Sequence, residues 1–242
     1  MTVSVAVVCF PGSNCEHDVV RAISSIGGRA HIVWHGDTTL AEHAGAAGPD
    51  AVVLPGGFAH GDYLRTGAIA RFSPIMDAVR EFAAAGRPVV GICNGFQVLT
   101  EAGLLPGALR RNSGLRFICT TLRCTVASSS SVLTATVAPG TALALPVNHG
   151  EGNYTCDAET LAEIEASGQV ILRYDENPNG SLHSIAGVAN RAGNVVGLMP
   201  HPERASAALL GSDDGLVLLR ALLDSAERAA THAGAAVPSA VS

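Results

Sequence analysis

Lysine is absent from this 242-residue sequence; all fifteen basic residues are arginine. A P-loop, whose lysine reaches the β- and γ-phosphates of a nucleotide, is therefore excluded, as is an enzyme that holds pyridoxal phosphate or a carbonyl substrate on lysine. If the larger process uses ATP, another chain handles it. Charge is scarce too. Charged residues make up 15% of the sequence and the net charge is −6, which argues against a nucleic-acid partner, since that needs a basic surface. No two of the six cysteines (9, 15, 93, 119, 124 and 156) stand in a C-x-x-C pair, so neither a zinc ribbon nor a thioredoxin-like site is expected and no metal is assigned. No apolar run approaches the roughly 18 residues of a membrane span. The opening run Val3–Phe10 ends at Pro11-Gly12, and the first positive charge is Arg21, unlike a signal peptide. The expectation is a cytoplasmic protein with reduced thiols and no membrane partner.

What is present is one globular domain. At 48% hydrophobic residues, a chain of this size buries roughly 70–75% of its unfolded surface and needs no disulfide or metal staple. Short β-branched runs at Val3–Cys9, Arg29–Trp34, Ala51–Leu54 and Pro88–Ile92 alternate with helical patterns. One helix follows the Pro11–Asn14 turn, capped by Ser13 or Asn14, and runs to about Ile26. A second opens at Ser73-Pro74 and closes at Gly86, and a third spans Asn94 to about Ala102. This alternation predicts an α/β fold: a single-domain open mixed sheet, mostly parallel at its centre, with helices on both faces. The rhythm then changes. Leu115–Val126, Val132–Val137, Leu143–Val147, Val170–Tyr174, Ser184–Ala189 and Asn194–Leu198 read as strands, with antiparallel ones added at one edge. Asp214–Ala226 reads as an amphipathic helix.

Three strand ends carry chemistry. Gly91-Ile92-Cys93-Asn94-Gly95-Phe96-Gln97 joins an apolar strand directly to a helix, a thiol counterpart of the nucleophile elbow. The helix N-terminus beside Cys93 favours thiolate. Pro200-His201-Pro202-Glu203 follows another strand. In an extended segment the i and i+2 side chains share a face, so a base and its orienting carboxylate both turn towards one site. Pro55-Gly56-Gly57 ends a third strand, where bare amides, with that of Asn94, suit a developing oxyanion. The carboxyl ends of strands in an open α/β sheet are where such folds bind ligands. His31 and His35, four apart in a strand-like run, read as structural. Cys9, Cys119 and Cys124 read as core, and Cys15 receives no role.

These motifs resemble those of the triad (class I) glutamine amidotransferases. Within that superfamily, Phe10–Cys15, Gly56–Ala70, Leu105–Asn112 and His149–Gly152 resemble the glutaminase subunits of phosphoribosylformylglycinamidine synthases of purine biosynthesis, in order over residues 5–225. The resemblance implies a glutamine amidotransferase type 1 domain over residues 1–228. It implies Cys93 as nucleophile with His201 and Glu203 completing the triad. Gln97, Asn148, His149 and Gly150 match positions that hold L-glutamine, although Asn148 departs from the small residue expected there. It further implies a large synthetase subunit that binds ATP and Mg, a small third subunit, and no cofactor in this chain. Partner docking is expected around Asp62–Arg65, Arg71 and Arg110-Arg111; the alternative for those arginines is a solvated face or internal ion pairs. The rival readings are an amidotransferase or γ-glutamyl hydrolase with another acceptor, and a catalytically silent regulatory subunit. Residues 229–242, rich in Ala, Gly, Pro and Ser, have no counterpart and are expected to be disordered.

Overall fold

The structure is a computed structural model that describes residues 2–41 and 48–235. Its strands are β1 (Ser4–Cys9), β2 (Arg29–Trp34), β3 (Ala51–Leu54), β4 (Val89–Ile92), β5 (Ala108–Arg110), β6 (Ile118–Val126), β7 (Ala142–His149), β8 (Asn153–Thr155), β9 (Val170–Tyr174), β10 (Ile185–Ala189) and β11 (Val195–Leu198). The helices are α1 (Glu16–Ser25), α2 (Ile75–Ala84), α3 (Asn94–Glu101), α4 (Ala158–Ala166) and α5 (Gly215–Ala235).

Nine strands form one sheet in the order β2-β1-β3-β4-β11-β10-β9-β6-β7. The first five are mutually parallel. The last four join by antiparallel pairs. The expected mixed sheet with an antiparallel edge is therefore present. Every residue of β3 and β4 is buried. Since side chains alternate between faces, both faces of the sheet centre are covered, which explains continuous Val/Ile runs in place of alternation. α3 packs across β3, β4 and β11, while α1 and α5 pack on each other and on the sheet. On β6, which lies beside the edge strand β7, Cys124 and Val126 are buried while Arg123 is exposed and Thr125 half-buried, so the sequence alternation survives at the end of that strand.

Some expectations fail locally. Val132–Val137 is a series of turns: Ser131 and Thr134 bond through their hydroxyls at 2.8 Å, and the Thr134 and Val137 amides donate to carbonyls three residues back. Side-chain competition of this kind defeats strand propensity. Neither Ser13 nor Asn14 caps α1. Its N-cap is Cys15, with no side-chain bond, and Ser13 Oγ instead accepts from the Phe10 amide at 3.0 Å. Sequence reading missed α4, which Asp157 caps by accepting from the Thr160 amide at 2.7 Å. It also missed the small β5–β8 ribbon. Cys119 is exposed and Cys9 half-buried, so of the three thiols expected in the core only Cys124 is fully there; all six are free. α5 continues to Ala235, into the stretch expected to be a disordered tail, because 227–233 contain neither Gly nor Pro. Residues 236–242 lie outside the described residues.

Candidate active site

Cys93 is the single residue between β4 and α3. It sits at φ 51°, ψ −104°, a conformation that costs a non-glycine residue about 1–3 kcal/mol. Two bonds fix it: its amide donates to the Leu198 carbonyl at 2.8 Å, and its carbonyl accepts from the Gln97 amide at 3.2 Å. Flanking glycines allow the tight turn. A Cβ on Gly95 would stand 2.0 Å from the Leu54 carbonyl oxygen, and one on Gly91 2.6 Å from the Gly95 backbone. The thiol therefore projects from the sheet end beside the first turn of α3, directed at the Asn148 carbonyl 3.5 Å away.

His201 follows β11. Its amide donates to the Pro146 carbonyl at 2.8 Å, tying the segment to β7. Its Nδ1 lies 2.6 Å from Glu203 Oε1, and both residues are only 1% exposed. The pair meets for a reason other than the expected one: Pro202–Arg204 form a single 3-10 turn, not an extended segment. Burial by itself would lower the His201 pKa, but the Glu203 carboxylate, with help from the Cys93 and Cys15 sulfurs, outweighs it and holds the imidazole well above its ordinary value. Nε2 has no hydrogen-bond partner and is buried, so that nitrogen is available to exchange a proton.

The two halves of the site meet at Cys93. One cavity of about 220 Å³ is lined by Cys93, Gly57, Asn148, Cys15, His201 and Arg204, among others. A second, of about 190 Å³, shares Cys93, Gly57 and Asn148 and adds Gln97, His149 and Gly150. Gly56 lies against His201. Gly57, at φ 146°, belongs to a bridge with Ser13 whose two hydrogen bonds use the Phe58 and Asn14 amides. The Gly57 amide is left outside that bridge. Asn94 opens α3, so its amide has no acceptor within the helix. The Asn94 side chain is a buried junction, accepting from the Ala59 amide and donating to Gln97 Oε1 at 2.9 Å. Gln97 Nε2 donates to the Glu151 carbonyl at 2.5 Å. His149 Nδ1 faces Asn112 Oδ1 at 3.2 Å, and burial followed by the charge of His201 pushes its pKa down to about 4. Asn148, turned to satisfy its neighbours, donates to the Val147 carbonyl and accepts from Arg204. All the residues expected at the site thus converge at one end of the sheet.

Sequence reading missed Cys15, Arg204, Asp62, Phe117 and Glu151. Cys15 is buried with its sulfur 3.2 Å from an Arg204 guanidinium nitrogen. Only the fold brings position 15 to position 204, so no local signal existed. The ligand atoms of Cys15, His201 and Glu203 lie within 4.8 Å of one another, a set that could hold a metal ion. In this set the His201 Nδ1–Glu203 Oε1 bond and the Arg204 guanidinium on the Cys15 sulfur engage one atom of each residue, while His201 Nε2 and Glu203 Oε2 are buried without a partner. Of the arginines expected at a partner surface, Arg65 makes two 2.6 Å bonds to Glu101, Arg71 bonds the Glu101 carbonyl at 3.1 Å, and Arg111 approaches Glu151 at 3.5 Å. These three are intramolecular pairs, while Arg110, Tyr63 and Leu64 are exposed.

A cysteine elbow and a buried His–Glu pair at the carboxyl end of an open α/β sheet define the class, an α/β domain with a candidate thiol active site. Residues 2–213 match the family described as the CobB/CobQ-like glutamine amidotransferase domain. The chain is 55% identical over 223 residues to the phosphoribosylformylglycinamidine synthase subunit PurQ of Rubrobacter xylanophilus, covering 92% of this chain and 99% of that one. It is 56% identical over 220 residues to the PurQ subunit of a Nostoc species, covering 90% and 96%. Among solved structures, a chain of the PurLQS structure from Thermotoga maritima superposes with a TM-score of 0.83 at 38% identity, covering 93% of this chain and 99% of that one. A Thermoplasma acidophilum chain named after GMP synthase, at 14% identity and a TM-score of 0.64 over 97% and 98% of the two chains, shares the fold. The chain belongs to the PurQ family of glutamine amidotransferases.

Proposed function

We propose that this chain hydrolyses L-glutamine to glutamate and ammonia through a Cys93 thioester, and hands the ammonia to a synthetase subunit. That subunit, with ATP and Mg, converts formylglycinamide ribonucleotide to formylglycinamidine ribonucleotide. The observation that carries the reading is Cys93 at its positive-φ elbow, sharing a cavity with His201, whose ring is bonded to the buried Glu203. Family membership and the PurLQS likeness support the acceptor and a complex with a large synthetase and a small third subunit. The six unpaired thiols suit the reducing cytoplasm.

Cys93 thiolate attacks Cδ of the glutamine side chain. The Gly57 and Asn94 amides receive the oxyanion, an interaction whose loss costs about 3–4 kcal/mol per donor in comparable sites. Imidazolium His201 gives its proton to the departing nitrogen, so ammonia leaves and a γ-glutamyl thioester remains. Neutral His201 then takes a proton from water, hydroxide adds to the thioester, and collapse returns thiolate and glutamate. Glu203 holds the imidazole by Nδ1 and stabilises the charged form. Gln97, His149 and Gly150 line the side of the cavity that takes the amino-acid portion of the substrate. Ammonia moves directly to the partner because free ammonia at neutral pH is mostly the non-nucleophilic ammonium.

A glutamine-like electrophile tests this reading. It should modify Cys93 alone among the six thiols, as mapped by mass spectrometry, and glutamine should protect that thiol. Modification of Cys15 instead refutes the assignment.

A further inference from the structure

The segment after β3 carries strain that the triad does not use. His60, Gly61, Asp62 and Leu64 have φ values of 54°, 70°, 52° and 71°. This path brings Asp62 to the wall of the cavity that holds Cys93 and Gln97, while Tyr63 and Leu64 stay 75% and 90% exposed. Asp62 Oδ1 accepts from Asn94 Nδ2 at 3.1 Å. The same nitrogen donates to Gln97 Oε1 at 2.9 Å, and Asn94 Oδ1 accepts from the Ala59 amide at 2.9 Å. The carboxylate is thus tied to the helix that begins at the nucleophile.

Its charge is uncompensated. The other carboxylate on this cavity wall, Glu151, has the Arg111 guanidinium at 3.5 Å and the Thr66 hydroxyl at 3.4 Å. Among the described residues none forms an ion pair with Asp62. Partial burial is the main cause that pushes its pKa up to about 6; the Asn94 hydrogen bond opposes it, the Glu151 charge adds a lesser push, and the Gly67 amide a lesser opposition still. A half-buried carboxylate held in place by an amide, with no counter-ion, is complementary to a cation delivered into the cavity. A glutamine whose carboxamide lies at Cys93 carries one cation, three carbons away.

We propose that Asp62 receives the α-ammonium group of the substrate and so selects α-amino acid amides over simple carboxylic-acid amides. This deepens the glutaminase reading and rests on it. The Asn94 side chain then links the group that recognises the substrate's amino end to the helix that presents the thiol.

The test compares L-glutamine with glutaramate, the same carboxamide and carboxylate without the amino group, in the complex assembled with the synthetase subunit. Asp62→Asn keeps an oxygen for Asn94 and removes the charge. It should lower kcat/KM for glutamine about ten- to a hundredfold, the range expected for a charge-assisted contact, mainly through KM. Glutaramate should change no more than about twofold in kcat/KM, or in its inhibition constant against glutamine, so the wild-type preference collapses; twofold is well under the tenfold that 1.4 kcal/mol gives. Asp62→Glu should retain more of that preference than Asp62→Asn. Unchanged ammonium-dependent synthesis establishes that the variants fold and assemble. Equal losses for both amides, or an undiminished preference, overturn the proposal while leaving the glutaminase reading intact. Absence of glutamine hydrolysis in the wild-type complex overturns both.

Discussion

The His201 imidazole lies directly against Gly56, so that a Cβ placed on this glycine would stand 2.7 Å from Cε1 and 3.4 Å from Nδ1. Position 56 sets where the base can sit. Gly56→Ala should displace the ring, reducing kcat for glutamine hydrolysis at least about tenfold, while overpacking costs about 1–3 kcal/mol of stability. Steady-state kinetics beside a denaturant titration separate the two effects. An unchanged kcat would show that the ring needs no such clearance.

Replacing Cys93 by Ala should remove glutamine-dependent synthesis, a loss of about 10⁴-fold or more. In the assembled complex, synthesis from added ammonium should persist. Loss of both activities would contradict the division of labour between the subunits.

His201→Ala should be more damaging than Glu203→Gln, because in the proposed mechanism one residue transfers the proton and the other orients the ring; in a comparable triad the gap is about a hundredfold. The pH profile gives a separate sign. With the His201 pKa held high against burial by Glu203 and the nearby sulfurs, its charged form persists through neutral pH. Glu203→Gln removes the leading charge that raises it, so the basic limb of the rate profile should move to lower pH. An unmoved limb would remove Glu203 from that role. The same pair contributes stability that is present below the ordinary histidine range and disappears as pH rises through the elevated folded value.

His149 works in the opposite direction. Its pKa is lowered from 6.5 to about 4, burial being the largest cause. The unfolded chain therefore binds a proton at higher pH than the folded one. The associated stability is present above pH 6.5 and is lost as pH falls towards 4. Its full size is about 3 kcal/mol, from the shift at 1.36 kcal/mol per unit. Urea titrations at neutral pH and at the acid end of that window should show His149→Gln losing less stability on acidification than the wild type, by about 2–3 kcal/mol. Parallel curves would mean that the folded protein protonates His149 without penalty.

Local chemistry was readable where neighbours in sequence generate it. The β4–Cys93–α3 junction could be placed because an apolar run meets Gly-x-Cys-x-Gly. Strands β2, β3 and β9 coincide with their β-branched runs. The turns at 132–137 were misread because hydroxyls bonded back to the chain there. The faces of His201 and Glu203 were misjudged because Pro202 begins a 3-10 turn that i, i+2 alternation does not anticipate. Asp62 passed as part of an outer surface, since nothing local indicates that a run of positive φ angles turns it inward.

The sequence by itself determined the reactive groups and the alternation of strand and helix, because both follow from residue type and spacing within a few positions. It also determined that no lysine chemistry operates here. Tertiary structure alone decided which groups meet. The parallel pairing of β11 with β4 brings the segment after Leu198 beside Cys93, β7 secures His201, and the loop after β3 presents Asp62 to the same cavity. Those encounters depend on sheet order and on burial shared among distant segments, a collective property of the packed core that no local stretch encodes.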